Sequence, residues 1–244
     1  MRSGLVKKRI TDKNGKHTNV WVRSRDYSFK EWFKGSKVVD EVGNPKVMYH
    51  ATRADFDVFN TKKGEAGAHI GTMRQARDRA EVGDYTVSIM PIYACIKNPL
   101  RLMDGSAFQF VDVVKQLIDK GIMTMDEWKE MLDNGKRKYG TRTMSVADIE
   151  KNDIRMLHDF LGKKGYDGIV YLNRFEGLLD RTYESADHKR IDEARRMELS
   201  DREFKKLFPK SEDSYIVFDP RQVKSATGNK GTFSPKSPNI TKAL

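Results

Sequence analysis

The chain has 244 residues, 38% hydrophobic and 33% charged, enough for one sizeable core with an appended element. It holds no run of about 18 apolar residues, which excludes a membrane-spanning helix. Its single cysteine, Cys95, excludes an internal disulfide and a metal site built from cysteines alone. The net charge of +11 sits at the ends: residues 1–30 hold nine Lys/Arg against two Asp/Glu and residues 219–244 five against one, leaving 31–218 neutral. Basic ends suit contact with nucleic acid or an acidic partner, and equally a solvated tail.

In chain order, Met1–Lys8 carries the charge of a signal peptide without an apolar stretch behind it, so a cytoplasmic, reducing setting is expected. Residues 5–23 read as a hairpin about the Asn14-Gly15 turn, a basic appendage occupying 1–28. A short amphipathic piece, Phe29–Phe33, ends at Gly35. The main domain then opens with strands at Val38-Val39 and Val47–Tyr49 about the turn Gly43-Asn44-Pro45. A helix is predicted over 73–81 and one or two strands over 86–96, where Pro91–Ile96 reads as a buried strand and makes Cys95 a packed thiol rather than a nucleophile. Helices follow at about 106–120, 125–134 and 146–162. Thr124/Glu127 forms a capping box before the second, and Ser145/Asp148 starts the third, whose apolar stripe is Ile149, Ile154, Leu157, Phe160 and Leu161. The closing strands are Gly168–Leu172 and Tyr215–Phe218. Strands at both ends with helices between give an α+β class over residues 29–235.

Between these closing strands lies an insertion, 177–212, with nine Lys/Arg and nine Asp/Glu. Asp192/Arg196, Glu198/Arg202 and Asp201/Lys205 have i,i+4 spacing, and Ser200/Glu203 is a capping box, so two solvated helices broken near Leu199-Ser200 are expected. The Gly/Ser/Pro-rich stretch after Pro220 reads as an extended tail over the domain, with 236–244 flexible.

No Gly-x-Gly-x-x-Gly, P-loop, His-Glu-x-x-His or paired-carboxylate motif is present. The histidines His17, His158 and His188 lack partners at ligand spacing, and no metal is expected. His50 differs: it ends an apolar strand, where a sheet would open to a cleft.

The ordered set Phe33–Asp40, Tyr49-His50-Ala51-Thr52, Asp55–Phe59, Gly67–Thr72, Ile96–Leu100, Gly165–Ile169 and Asp213–Phe233 resembles the ADP-ribosyltransferase domain of phage and mobile-element polyvalent proteins. That family is of the histidine type, related to poly(ADP-ribose) polymerases and diphtheria-like toxins. The resemblance implies split antiparallel sheets and NAD+ as a consumed co-substrate. His50 would hydrogen-bond a ribose hydroxyl, Thr52 or the adjoining backbone would hold the nicotinamide amide, and Tyr49, Ala51 and the strand Ala68-His69-Ile70-Gly71-Thr72 would line the nicotinamide slot.

The sequence departs from the pattern at Ser214, which stands where the polymerases have their catalytic glutamate. Glu176, in Asn173-x-x-Glu176-Gly177, and then Asp213 are the acids expected to take the role, with Glu212 also near. The nicotinamide-stacking aromatic is not evident in the helix Arg74–Arg79, and Tyr85 or Tyr49 would replace it. The resemblance places the insertion toward the acceptor, a protein or nucleic acid in a bacterial host, so its removal would spare NAD+ cleavage and abolish target modification. Two other readings remain open: a catalytically weak binding module of a phage, NAD- or nucleic-acid-associated, and an NAD+ glycohydrolase toxin.

Overall fold

The structure, a computed structural model, describes residues 5–11, 15–80, 87–105, 108–139, 145–178, 185–229 and 233–241. Two strands, β1 (Leu5–Thr11) and β2 (His17–Arg23), pair antiparallel with Leu5 opposite Arg23. Gly15 takes φ +78° in their turn, as the hairpin reading requires, while Asn14 and the proposed stacking residue Tyr85 lie outside the described residues. Helix α1 (Ser24–Phe33) follows directly. It buries Trp32 and Phe33 against Cys95 and Phe233, with Phe29 and Tyr93 packed alongside. The Cys95 thiol donates to the Trp32 carbonyl at 3.0 Å.

Two sheets form the domain. One is antiparallel, in the order β3 (Met48–Thr52), β5 (Ser88–Ala94), β9 (Val223–Ser225). The other has the order β4 (Ala68–Ile70), β8 (Asp213–Val217), β7 (Gly168–Leu172), β6 (Pro99–Arg101). Among the described strands only β6 and β7 pair parallel, and a parallel pair needs a long crossover. Helices α3 (Phe110–Asp119), α4 (Met125–Tyr139) and α5 (Val146–Lys163) supply it.

Strand β7 is buried throughout, which explains its unbroken apolar run. Alternation divides its side chains: Ile169 and Tyr171 pack with the helices, and Val170 packs in a second core with Met48 and Ile92 of the other sheet. In α5, Ile154, Leu157 and Leu161 are buried, but Ile149 is 49% exposed. At 100° per residue, Ile149 lies about 140° round the helix from Ile154 and about 20° from the half-buried Phe160, at the outer edge of the stripe.

The insertion forms α6 (Ser185–Arg196) and α7 (Asp201–Leu207), separated near Leu199-Ser200 as expected, with the Ser200/Glu203 capping box in place. It is not a solvated excursion. Ile191, Ala194, Phe204 and Phe208 bury a core of their own against Leu172 and Leu178. Asp192 pairs with Arg195 at i,i+3, while the Arg196 side chain lies outside the described residues; Asp201 pairs with the distant Arg101 and Arg174. Glu198 has φ +48° between the helices, so helical i,i+4 geometry toward Arg202 is lost there.

The C-terminal expectation also changes. Residues Val223–Ser225 form β9, and within 236–241 Ser237 and Ile240 are buried rather than flexible. The Ile240 amide donates to the Asp57 carbonyl at 2.8 Å, and its carbonyl accepts from the Ser225 amide at 3.0 Å. The buried Lys224 ammonium donates to the carbonyls of Ser237 (2.6 Å) and Asn239 (2.9 Å), which fastens the segment. Its burial lowers its pKa to about 8. No described helix is long and apolar enough to cross a membrane.

Because Ile240 fills a core site that also holds Phe59 and Val223, Ile240→Ala should lower stability by about 2–4 kcal/mol in urea unfolding. A change below about 1 kcal/mol would mean the segment is not part of the cooperative fold.

Candidate active site

The two sheets meet at Tyr49 and Gly71, whose backbones exchange hydrogen bonds of 2.7 and 2.9 Å. A Cβ at Gly71 would meet the Gln75 side-chain oxygen at 2.5 Å and the Ser214 hydroxyl at 3.2 Å, so a larger residue at this junction would have to displace the bonds these two make. Beside this bridge opens a cleft of about 490 Å3, within the range of small-molecule sites. Its walls come from β3, β4, α2 (Met73–Ala80), the segment 54–67, and the ends of β7 and β8.

His50 sits in this cleft. Its Nδ1 lies 2.7 Å from the His69 carbonyl oxygen, and its ring meets Phe59 and Phe56 edge-on at 5.0 and 6.2 Å between centroids. Burial lowers its pKa below 6.5, against the opposing effect of the carbonyl bond, and the Arg79 charge adds to the lowering. The neutral ring therefore donates from Nδ1 and presents Nε2 as an acceptor.

His69 lines the same cleft but its ring is spoken for. Nε2 lies 2.6 Å from the Glu65 carbonyl oxygen and Nδ1 3.0 Å from the Tyr171 hydroxyl. A neutral ring can only donate to the carbonyl, so Nδ1 accepts from Tyr171. Burial, the largest influence, lowers the His69 pKa to about 4. Tyr171 is itself raised above the ordinary phenol range, by burial first. His69 thus shapes the wall and offers its carbonyl to His50, leaving neither ring nitrogen for a ligand.

Register explains the neighbours. Tyr171 stands opposite Ser214 across β7 and β8, on the sheet face that carries His69. Ser214 is buried, donates to Gln75 Oε1 at 3.0 Å and accepts from Asn173 Nδ2 at 3.1 Å. Gln75 Oε1 also accepts from the Thr72 amide at 2.6 Å, and Gln75 Nε2 donates to the Glu212 carbonyl at 2.9 Å. Ser214 therefore holds a polar network together and brings no carboxylate to the cleft.

Glu176 does. It lies in the turn after β7, where Asn173 Oδ1 accepts from the amides of Phe175 (3.0 Å) and Glu176 (2.7 Å). One Glu176 oxygen takes Asn173 Nδ2 at 2.8 Å and the other Arg79 Nη1 at 3.1 Å. Gly177 ends the turn at φ +74°, and its amide donates to Asp78 at 2.6 Å.

Asp213 lies elsewhere. A strand alternates its side chains, so the residue next to Ser214 points to the opposite face. There Asp213 pairs with Arg101 at 2.5 and 3.1 Å and lines a separate charged hollow with Lys46 and Glu212. Lys46 also pairs with Glu212, at 2.9 Å. Of the other expected site residues, Tyr49, Ala51, Ile70 and Gly71 line the cleft. Thr52 instead closes a local turn with the Ala54 amide at 3.1 Å, and Thr72 caps α2 toward Gln75.

Sequence reasoning gave no role to Arg79, Gln75, Asn173, Tyr171 or the Phe56/Phe59 wall. The Asn-x-x-Glu spacing, which suits an Asx turn, was the one signal for Asn173.

In comparison with known proteins, the family described as "ADP-Ribosyltransferase in polyvalent proteins" matches residues 40–233. No curated protein and no solved structure matches the chain.

His158 parallels His69: its Nε2 lies 2.8 Å from the Ala66 carbonyl oxygen, and burial lowers its pKa to about 4. Both folded pKa values lie below the unfolded value of about 6.5, so the unfolded chain binds protons that the folded chain refuses. Stability should be full above pH 6.5 and fall as pH drops toward 4. Urea unfolding should show a loss on the order of 2 kcal/mol between pH 6.5 and 5, above the range in which unfolded carboxylates titrate. A flat profile across that window would contradict the neutral, hydrogen-bonded state of both rings.

Proposed function

We propose, for a chain that belongs to the ADP-ribosyltransferases in polyvalent proteins, that the cleft between His50 and Glu176 binds NAD+ and transfers its ADP-ribose to a macromolecular acceptor. The observation that carries the reading is the meeting of His50 and Glu176 in one cleft from distant parts of the chain. The lining suits this substrate. Phe56 and Phe59 offer an apolar wall to a flat ring, and Arg79 and Lys63 offer positive charge to a pyrophosphate.

The reaction breaks the bond between ribose C1′ and nicotinamide. Nicotinamide leaves neutral with the bonding electron pair, and positive charge passes to the ribose. A fixed negative charge is what this step needs, and Glu176 is held by two donors before the substrate arrives. His50, neutral and with Nε2 as acceptor, receives a ribose hydroxyl. The acceptor nucleophile then bonds to C1′ and gives up one proton. No protonation of the leaving group is required, so the cleft needs no carboxylic acid to serve as a general acid.

The finer reading follows the family likeness: a phage- or mobile-element-derived enzyme acting on a bacterial protein or nucleic acid. Phe175, 38% exposed next to Glu176, and the adjoining insertion lie where such an acceptor would approach. A share in choosing the acceptor is therefore assigned to them.

Nicotinamide release from NAD+ tests the reading. His50→Ala and Glu176→Gln should each lower the rate by about 100-fold or more, whereas Asp213→Asn should stay within about threefold. The wild-type rate should fall as pH drops below 6.5, because protonating His50 turns its acceptor nitrogen into a donor. Full activity in Glu176→Gln would remove Glu176 from the catalytic role, and no release even with a bacterial lysate as acceptor source would return the domain to a binding role.

A further inference from the structure

The insertion does more than stand near the cleft: both of its helices grip the two residues that precede Glu176. From α6, Arg195 donates through Nε to the Arg174 carbonyl at 2.8 Å and lies over the Phe175 ring at 3.8 Å from its centroid. Asp192, one turn earlier, holds the same guanidinium at 2.9 Å. From α7, Asp201 takes Arg174 Nη2 at 2.9 Å on one oxygen and Arg101 Nη1 at 3.0 Å on the other. Phe204 packs its ring 4.9 Å from the Arg174 guanidinium. The Arg174 amide is fixed from the far side by Asp104 at 2.8 Å.

This arrangement is poorly explained as a device for stability. The Arg174 side chain is 2% exposed, and its Nε is buried with no hydrogen-bond partner among the described residues. Burying a guanidinium in that state is costly, and apolar replacement of buried ion pairs is often neutral or stabilising. What an apolar residue could not do is hold the backbone in one place two residues before a carboxylate. Within the turn the Asn173 carboxamide and the Gly177 amide set its shape, Arg79 holds the Glu176 carboxylate, and Arg74 reaches the Gly177 carbonyl at 3.4 Å. The backbone of Arg174 and the ring of Phe175 are held by Asp104 and the insertion.

We propose that Arg195 and Asp201 are positioning residues for Glu176, acting through Phe175 and Arg174, so that the insertion is part of the catalytic apparatus and not a separable recognition arm. The proposal rests on the assignment of Glu176 as the catalytic carboxylate. It reverses the expectation from sequence: removing residues 180–208 should abolish NAD+ cleavage as well as acceptor modification.

The test is a double-mutant cycle on nicotinamide release. Arg195→Ala and Asp201→Asn should each lower kcat by about 10- to 100-fold, with KM for NAD+ within about threefold. Arg195→Lys, which keeps the charge but not the planar fork, should recover part of the loss. In a Glu176→Gln background either change should add less than about twofold, because the group they position is already gone. Independently of turnover, hydrogen exchange at the Phe175 and Glu176 amides should quicken in Arg195→Ala and Asp201→Asn. It should stay slow in Glu193→Ala, a change at an exposed position of the same helix.

Unchanged exchange together with unchanged kcat in the folded variants would overturn the proposal, as would losses that multiply fully with Glu176→Gln. If Glu176→Gln alone kept full activity, the assignment of Glu176 would fail instead. The exchange result would then still report whether the insertion holds the turn.

Discussion

All the hydrogen-bonding capacity of one carboxamide, that of Asn173, is used between the turn after β7 and strand β8, and the site is built around it. Its oxygen accepts from the amides of Phe175 and Glu176, and its nitrogen donates to Glu176 and to Ser214. Asn173 is 1% exposed, so none of these bonds competes with bulk water. The turn that carries the carboxylate is thereby tied to strand β8 and, through Ser214 and Gln75, to the start of α2. An acid at position 214, as in the polymerases, would have to enter a network already balanced between donors and acceptors. With a carboxylate, Glu176, in the turn after β7 and serine in the strand, every group in that network is bonded.

The cleft is a consequence of how the two sheets join. Packed over one shared core, they are joined by the Tyr49–Gly71 bridge, and beside it the hydrogen-bonding edge of β4 is completed by the His50 ring instead of another strand. One sheet supplies the acceptor nitrogen and the other, with the turn that follows β7, the negative charge. Segment 54–67 closes the third side, and it is braced from behind by the C-terminal residues through Asp57 and Ile240. Charge is arranged to match: Arg79 satisfies Glu176 in the free protein and stands ready for an anionic group on a ligand.

Much of the fold was legible in the chain because apolar periodicity and capping are local. Gly168–Leu172 was placed to the residue from its apolar run, and the break near Ser200 from its capping box. The short strands Pro99–Arg101 and Val223–Ser225 gave no such signal, since three residues carry no period and their stability comes from partners far away in sequence. The same limit governs the site. His50 stood out as the polar residue expected at the end of an apolar run, although β3 continues to Thr52. Glu176 stood out through the Asn173-x-x-Glu176-Gly177 pattern and the family likeness. That Asp213 faces away from the cleft could be known only once β8 was in register with β7. The charged insertion looked solvated because composition does not reveal that Asp201 and Arg195 spend their charge on Arg174 and on Phe175.

The central claim is that a carboxylate in the turn after β7, and not one on β8, faces the reacting ribose. A crystal structure of the Glu176→Gln variant with NAD+ tests it most directly, because the unreacted dinucleotide should persist. The account predicts nicotinamide against the Tyr49–Ala51 and Ile70-Gly71 walls, a ribose hydroxyl within hydrogen-bond reach of His50, and ribose C1′ beside residue 176. NAD+ seated instead in the Arg101–Asp213 hollow, or with its C1′ remote from residue 176, would contradict it.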